Sequence, residues 1–272
     1  MPSQSLYYYE GKMKITWYGT ASILLETAET SLLFDPFMKF LPKGQESEEI
    51  IRERTQAFRR QKNILITHGH LDHLSSVCSL FSDMPCTIYV TGTPAGTLRS
   101  HGFPEEKIQR IHPGDILKFP KMTVRVYPGK HIRFDAAVIR QIITKKDTWK
   151  QFPRMIHLLR MNLRYRENGE CLVYEIAAEE KHILLMGSAG LAEKISYPID
   201  ADALILPHQG RSDIDEYNYE IAMRLHPKMI LLDHYDNTFP PVSMNVPVLD
   251  FCRNISCDIP AQALAEGITI EI

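Results

Sequence analysis

The chain has few cysteines and no CxxC pair, and these absences exclude several classes of protein. Its five cysteines are Cys78, Cys86, Cys171, Cys252 and Cys257. An odd number without a paired spacing argues against a disulfide framework and against a cysteine metal site, and it fits a reducing compartment. No apolar run approaches the length of a membrane span, so no membrane partner is expected.

A targeting signal and a domain linker are also missing from the sequence. Met1 to Lys12 has no basic stretch followed by an apolar segment, so we expect no signal peptide and predict a cytoplasmic location. No segment rich in Pro, Gly or Ser is long enough to separate domains. With 272 residues, 44% of them hydrophobic, the chain can bury a sizeable core. One domain over residues 1–272 is the simplest prediction.

The most informative segment is Thr-His-Gly-His-Leu-Asp-His at residues 67–73. It places three histidines and an aspartate directly after a short apolar run, which is typical of a buried strand. Imidazole nitrogen and carboxylate oxygen are ligand atoms that zinc prefers, and open α/β sheets form their sites at strand ends. Alternatively, Asp72 is a helix N-cap and the histidines are polar loop residues. Four such side chains within six positions favour a metal site.

The spacing within this segment favours two metals over one. His68 and His70 are two residues apart, so in extended backbone they point to the same side and can hold one ion. A helical pattern of apolar residues begins at His73 and continues through Leu74, Val77, Cys78 and Phe81. This turn would direct Asp72 and His73 to a neighbouring position.

Strands and helices are predicted along the whole chain from the periodicity of apolar residues and from turn signals. Strands are predicted at 13–17, 22–26, 31–34, 63–66, 87–90, 116–119, 122–127, 171–176, 182–186, 203–206, 229–232 and 268–272. Helices are predicted at 46–58, from 73, from 93–94, at 148–161 with an interruption at Pro153, at 214–225 and at 248–254. This order predicts an α+β domain with two sheets and flanking helices.

Positive charge is concentrated in one stretch of the chain. Between Arg133 and Arg166 there are nine Lys or Arg and two Asp, a local charge of +7 in a chain whose net charge is −2. One interpretation is a basic insertion at about 132–166 that forms a lid and attracts an anionic substrate or partner. The other interpretation is an ordinary solvated helical face.

Further ligands for the histidine cluster can follow other predicted strands, and His131, Ser188 and His234 do so. The segments that carry a family resemblance are 14–22, 33–37, 67–73, 186–190 and 232–236. With its His-x-His-x-Asp-His motif, the chain resembles the metallo-β-lactamase superfamily. Its Asp-Pro-Phe at 35–37 and His-Tyr-Asp at 234–236 resemble most the branch that contains L-ascorbate-6-phosphate lactonase.

The resemblance implies a fold and a set of ligands. The fold would be the four-layer αββα sandwich, with the site in the groove where the two sheets meet. One metal would be held by His68, His70 and His131, and a second by Asp72, His73 and His234. Asp35 matches a position that orients the metal loop without binding metal. Zinc is the expected metal, and manganese or iron also suits these ligands.

Hydrolysis is the chemistry that such a site supports. A divalent metal lowers the pKa of its water toward ~7 and polarises the oxygen under attack. The predicted function is therefore a metal-dependent hydrolase that uses metal-bound hydroxide on a small anionic ester, lactone or phosphoester. Asp72 is the candidate general base, since it would lie beside the nucleophile.

Two other functions fit parts of the sequence. A nuclease would use the basic stretch, but a nucleic-acid partner is not expected, because the remainder of the chain is acidic and few aromatic residues interleave the basic ones. A degenerate protein would bind metal or a metabolite without turnover. The oligomeric state is left open, and a homo-oligomer is compatible with the sequence.

The degenerate alternative rests on Ser188, which stands where the family has an aspartate that bridges both metals. A carboxylate neutralises part of the charge of two nearby cations, and a neutral hydroxyl does not. The second metal is therefore expected to bind more weakly. His208 or Asp213, in the loop 207–213, could substitute for the missing bridge.

We predict that the Ser188→Asp substitution raises metal occupancy, because it restores a negative charge between the two cation positions. The measurement is elemental analysis of protein purified without added metal. Two full equivalents of metal in the unsubstituted protein would contradict this prediction.

Overall fold

The computed structural model describes residues 12–272. The expectation about a signal peptide concerns a segment that, apart from Lys12, lies outside these residues. Within the described part of the chain, no helix combines the length and the apolar character needed to cross a membrane.

Fourteen strands and nine α-helices are present in residues 12–272. The strands are β1 Lys14–Trp17, β2 Ile23–Glu26, β3 Ser31–Phe34, β4 Asn63–Leu65, β5 Thr87–Val90, β6 Ile108–Arg110, β7 Ile116–Phe119, β8 Met122–Gly129, β9 Cys171–Ala178, β10 Lys181–Met186, β11 Ala203–Pro207, β12 Ile230–Asp233, β13 Ala261–Ala263 and β14 Thr269–Glu271. The helices are α1 Glu48–Arg59, α2 Leu71–Leu74, α3 Val77–Phe81, α4 Gly92–Ser100, α5 Ala136–Thr144, α6 Lys146–Lys150, α7 Phe152–Asn162, α8 Ile214–Leu225 and α9 Leu249–Ile255.

The strands form two seven-stranded mixed sheets. The first sheet has the order β14-β1-β2-β3-β4-β5-β6, in which β1 to β3 form an antiparallel meander and β3 to β6 are parallel. The second sheet has the order β13-β12-β11-β10-β9-β8-β7, antiparallel from β7 to β10 and parallel from β10 to β13. Parallel strands on one side of each sheet bring several strand ends to a common edge.

Three apolar clusters hold the layers together. The central cluster lies between the sheets and includes the buried rings of Trp17, Phe34 and Tyr174. A second cluster packs α8 and α9 on the second sheet, and a third packs α1, α3 and α4 on the first. Burying one such large side chain contributes about 1.5–3 kcal/mol. The layers are therefore helix, sheet, sheet and helix, which confirms the predicted four-layer αββα sandwich of the α+β class.

Several element boundaries differ from the sequence-based predictions. The helix predicted at 148–161 is two helices, because Pro153 lies in the first turn of α7, where its missing N–H is not needed. The helix predicted from His73 is the pair α2 and α3. The prediction lacked β6 and β13, which are three-residue strands with no fully buried position, so their pattern carries little apolar signal.

The insertion between β8 and β9 carries α5, α6 and α7. The hydrophobic positions of α5 and α7 lie on one side of each helix, and only Val138 and Leu158 are fully buried. Its function as a lid stays a prediction.

The two sheets make close contact beside the histidine segment. The backbone N–H of Leu172 on β9 donates to the carbonyl of Thr67 at 3.0 Å, and the N–H of Gly187 donates to the carbonyl of Leu172 at 3.1 Å. A Cβ atom on Gly187 would lie 2.3 Å from Cβ of Thr67. Only glycine fits between these loops, and their contact positions the residue that precedes His68.

We predict that Gly187→Ala lowers the free energy of unfolding by about 2–3 kcal/mol, because the added methyl overlaps the Thr67 side chain. Gly96→Ala is the matched control. It should raise the free energy of unfolding by about 0.5–1 kcal/mol, since Gly96 is exposed inside α4 with no atom near the added Cβ. Urea denaturation followed by circular dichroism measures both changes. Equal effects of the two substitutions would contradict the proposed close contact.

Candidate metal centre

The candidate site lies where four strands end. The loop after β4 carries His68, His70, Asp72 and His73, while His131 follows β8, Ser188 follows β10 and His234 follows β12. β4 belongs to the first sheet and the other three strands to the second, so the site lies in the predicted groove between the sheets.

The first group of side chains is His68, His70 and His131. One ring nitrogen from each lies within 4.8 Å of the others, which is close enough for a single cation to contact all three. The ring centroids are 4.8 Å apart for His68 and His70, 4.9 Å for His68 and His131, and 4.3 Å for His70 and His131. The structure therefore brings together the three residues predicted to hold one metal.

The second group is Asp72, His73 and His234, whose ligand atoms also lie within 4.8 Å of one another. Nε2 of His234 lies 3.1 Å from Oδ2 of Asp72, and Nε2 of His73 lies 3.7 Å from the same oxygen. His234 has a backbone φ of +53°, and its N–H donates to the carbonyl of Thr20 at 3.0 Å. A residue in this left-handed region is strained, and such strain is common at functional sites.

Asp35 contacts the second group through His73, on the ring nitrogen that does not face Asp72. Its Oδ1 accepts from the backbone N–H of Thr67 at 2.8 Å, and its Oδ2 accepts from Oγ1 of Thr67 at 2.6 Å. The same Oδ2 lies 2.8 Å from Nδ1 of His73, so Nδ1 carries the proton and Nε2 is left to face Asp72. Asp35 is fully buried and contributes no atom to either group of candidate ligands, and the orienting role implied by the family resemblance stays a prediction.

His68 shows that the residues fit a cation. Because the hydroxyl of Thr67 donates to Asp35, its oxygen is free to accept from Nδ1 of His68 at 3.0 Å. This contact leaves a lone pair on Nε2 of His68, which is buried and has no hydrogen-bond partner among the described residues. Burial of an unpaired polar atom is costly, and a bound cation would satisfy it.

The first group is electrically neutral near pH 7. Burial lowers the pKa of His68 well below its usual value and also lowers the pKa of His70. Burial and the neighbouring His70 lower the pKa of His131 to about 3. Neutral imidazole is the form that binds metal, so these three residues need lose no proton before they do so.

The second group forms an ion pair. Burial opposes charge on His234, but the hydrogen bond and the charge of Asp72 outweigh it and raise the pKa of His234 to about 9. Burial disfavours the carboxylate of Asp72, but His73 and His234 outweigh this effect and hold its pKa below the usual range. A cation at this position would therefore replace the proton of His234.

The three residues proposed as a bridge or its substitute lie in different places. Ser188 lines the same cavity as the six candidate ligands, and its Oγ accepts from the N–H of Ile132 at 3.0 Å, which supports the loop of His131.

His208 is buried against Asn218 and Asp215, and burial lowers its pKa to about 4. Asp213 pairs with Arg211 at 2.5 and 2.6 Å. Neither His208 nor Asp213 is among the described residues that line the cavity, so the structure does not bring them to the cluster.

The cavity in front of the ligands holds about 150 Å³ of space. Its wall includes residues that the sequence analysis did not select: Ile132, Phe134, Leu158, Leu159 and Asn162 from the insertion, and Gln209, Phe239 and Val242 from other loops. Single apolar residues of loops and short helices carry no motif, so only the folded arrangement reveals their place.

Comparison with known proteins agrees with this fold. Residues 14–234 match the model of the beta-lactamase superfamily domain, so the chain belongs to the beta-lactamase superfamily. The solved structures include Igni18, a metallo hydrolase from Ignicoccus hospitalis, with a TM-score of 0.65, 17% identity and coverage of 96% of this chain and 98% of that one. YhfI from Bacillus subtilis, a metallo-beta-lactamase fold protein, has a TM-score of 0.62, 14% identity and coverage of 96% and 100%.

A curated relative matches only part of the chain. The UPF0173 metal-dependent hydrolase of Brucella ovis is 32% identical over 105 residues, which are 38% of this chain and 39% of the relative. The chain thus spans about two fifths of the length of the curated relative that it matches.

We predict that a second zinc ion displaces one proton on binding, because His234, with a pKa of about 9, is protonated near pH 7 in the metal-free protein. Between pH 7 and 8 the affinity of the second equivalent should rise about tenfold, whereas that of the first should not depend on His234. Titration calorimetry in two buffers of different ionisation enthalpy measures the released proton. In a His131→Ala control the proton release should persist. A second equivalent that binds without buffer dependence would contradict the prediction.

Proposed function

We propose that this protein is a metal-dependent hydrolase whose centre is formed by His68, His70 and His131 and by Asp72, His73 and His234. One observation carries the proposal: six donor side chains from three strand ends converge as two groups, each compact enough for one cation. The metal-dependent hydrolase of Brucella ovis and the metallo hydrolase Igni18, both similar to this chain, support the same class.

Cations held by these groups would supply an acidified water and a polarised substrate oxygen. The other residues of the site would position the ligands and transfer the proton. Asp35 holds His73 through Nδ1, and Ser188 supports the loop of His131. Asp72 is the carboxylate of the cluster, and we assign it the task of orienting the attacking water and accepting its proton. Asp72 would then pass this proton on to the leaving group.

The nature of the bond and of the metal belongs to the proposal. Esters, lactones and phosphoesters all present an oxygen that a cation can polarise. Zinc is the proposed metal because imidazole and carboxylate are ligands that it prefers. Manganese and iron also bind such ligands. The likeness to the L-ascorbate-6-phosphate lactonase branch rests on the motifs at 35–37 and 234–236, and this branch assignment stays a prediction. The cytoplasmic location and the homo-oligomer also stay predictions.

The anionic substrate predicted from the basic stretch has little support from the cavity. Of the nine Lys and Arg between Arg133 and Arg166, eight are exposed. The ninth, Arg154, donates to the backbone carbonyls of Pro240 and Phe40. None of the nine lines the cavity in the described residues. The alternative of a solvated basic face is therefore favoured, and a nuclease lacks a cationic side chain in the cavity to contact phosphate.

A second candidate function is binding of metal or a metabolite without turnover. One observation favours it: Ser188 is a neutral residue at the cavity wall, where the family has a bridging acid. Metal affinity without hydrolysis of any ester, lactone or phosphodiester would support this candidate over the hydrolase.

We predict that replacing both His68 and His70 with Ala lowers turnover by more than about 100-fold, because a cation loses two of three neutral ligands. The assay uses metal-loaded protein against ester, lactone and phosphodiester panels, with metal content measured in parallel. His157→Ala is the matched control, since this histidine is exposed on α7, and it should change neither quantity. Turnover that survives the double substitution would overturn the proposed function.

A further inference from the structure

We propose that the substrate carries an uncharged apolar group, about as large as a benzene ring or a six-carbon chain, beside the bond that is cleaved. This inference rests on the proposed hydrolase function and adds the substrate class. The observation behind the inference is that an apolar wall and the candidate cation ligands line one cavity.

The wall is formed by side chains from separate parts of the chain. The insertion contributes Phe134 before α5 and Leu158 and Leu159 from α7, and the loop after β12 contributes Phe239 and Val242. Phe134 is 53% exposed and Leu159 is 45% exposed at the cavity rim. Apolar side chains that stay partly exposed beside a reaction centre gain burial when an apolar group enters.

The wall of the cavity, away from the candidate ligands, offers no partner for a charged group. Its acidic and basic side chains, in the described part of the chain, are the proposed ligands themselves, and the wall adds no Lys or Arg. An anionic group held against this apolar wall, away from the proposed cations, would lose water without gaining a partner, which is costly. The exposed cations of the insertion therefore do not select the group that occupies the cavity.

The remaining polar residues of the wall suit a neutral polar atom. Gln209 uses Nε2 to donate to the carbonyl of Met244 at 2.6 Å, and Asn162 at the end of α7 is exposed at the rim. Amides and the hydroxyl of Ser188 can each form single hydrogen bonds with a carbonyl or ether oxygen. They provide no fork of cationic donors of the kind that recognises phosphate.

The size of the group follows from the space. The cavity measures about 150 Å³. An engineered apolar cavity of about this volume in another protein accepts benzene. An aryl ring or a hexanoyl chain therefore fits, and a sugar phosphate would place several hydroxyl groups against apolar carbon.

The experiment compares esters that share one leaving group. Metal-loaded full-length protein is assayed with the 4-nitrophenyl esters of acetate, hexanoate and benzoate and with the 4-nitrophenyl monoester of adipate. Adipate has the same six carbons as hexanoate and ends in a carboxylate. We expect kcat/KM for hexanoate to exceed the values for acetate and for adipate at least about tenfold, because methylenes are buried and the carboxylate is not compensated.

Leu159→Lys and Leu163→Lys form a matched pair of variants at the end of α7. Both leucines are exposed, but only Leu159 lines the cavity. Leu159→Lys should lower the hexanoate to adipate ratio of kcat/KM at least about threefold, since it removes apolar wall and adds a cation. Leu163→Lys should leave this ratio unchanged. Equal effects of both substitutions would overturn the inference.

A binding measurement separates this inference from the proposed function. Hexanamide and adipamic acid differ only by the terminal carboxylate, and calorimetry gives their affinities without turnover. Binding of hexanamide that is tighter by about tenfold or more supports the apolar site, even if the protein cleaves no ester. Failure to cleave any ester would overturn only the proposed hydrolase function. Equal or tighter binding of adipamic acid, or a preference for bis(4-nitrophenyl) phosphate over hexanoate, would overturn the inference and leave the hydrolase standing.

Discussion

The site depends on one buried carboxylate. Asp35 is removed from water and accepts hydrogen bonds from the backbone and hydroxyl of Thr67 and from Nδ1 of His73. An ionised group without partners would be costly at such a place, so these donors are needed for the fold as well as for the site. Through Thr67 the same carboxylate sets the tautomer of His68. Asp35 thereby links both groups of ligands, although it belongs to neither.

The architecture explains why side chains far apart in sequence meet. Both sheets present strand ends at the groove, and the close contact of Thr67 with Gly187 brings the histidine loop of the first sheet against the second. His131 and His234 then reach the loop from strand ends of the second sheet. Each contributes an atom to a different group, so both groups are complete only when the two sheets are packed together.

Much of this was predictable, for identifiable reasons. His68, His70, Asp72 and His73 are neighbours in the chain, so local spacing alone indicated a cluster, and α8 has the predicted bounds because its apolar period is regular. The family resemblance, not periodicity, supplied His131 and His234. The sequence could not show that His208 is turned toward Asn218, because that depends on which helix covers β11. The apolar wall was unpredictable for the same reason, and the charge of its segment suggested a different substrate.

The insertion between β8 and β9 has a consequence for how such a protein can diversify. It supplies much of the cavity wall, and of the six candidate ligands only His131 is its neighbour in the sequence. Changes within α5 to α7 can therefore alter what fits in the cavity without replacing any of the candidate ligands, which lie at strand ends of the sandwich. In the proposed hydrolase, the residues that would select the substrate and those that would hold the cations thus lie largely in separate parts of one chain, so each set can be varied by mutation with little change to the other.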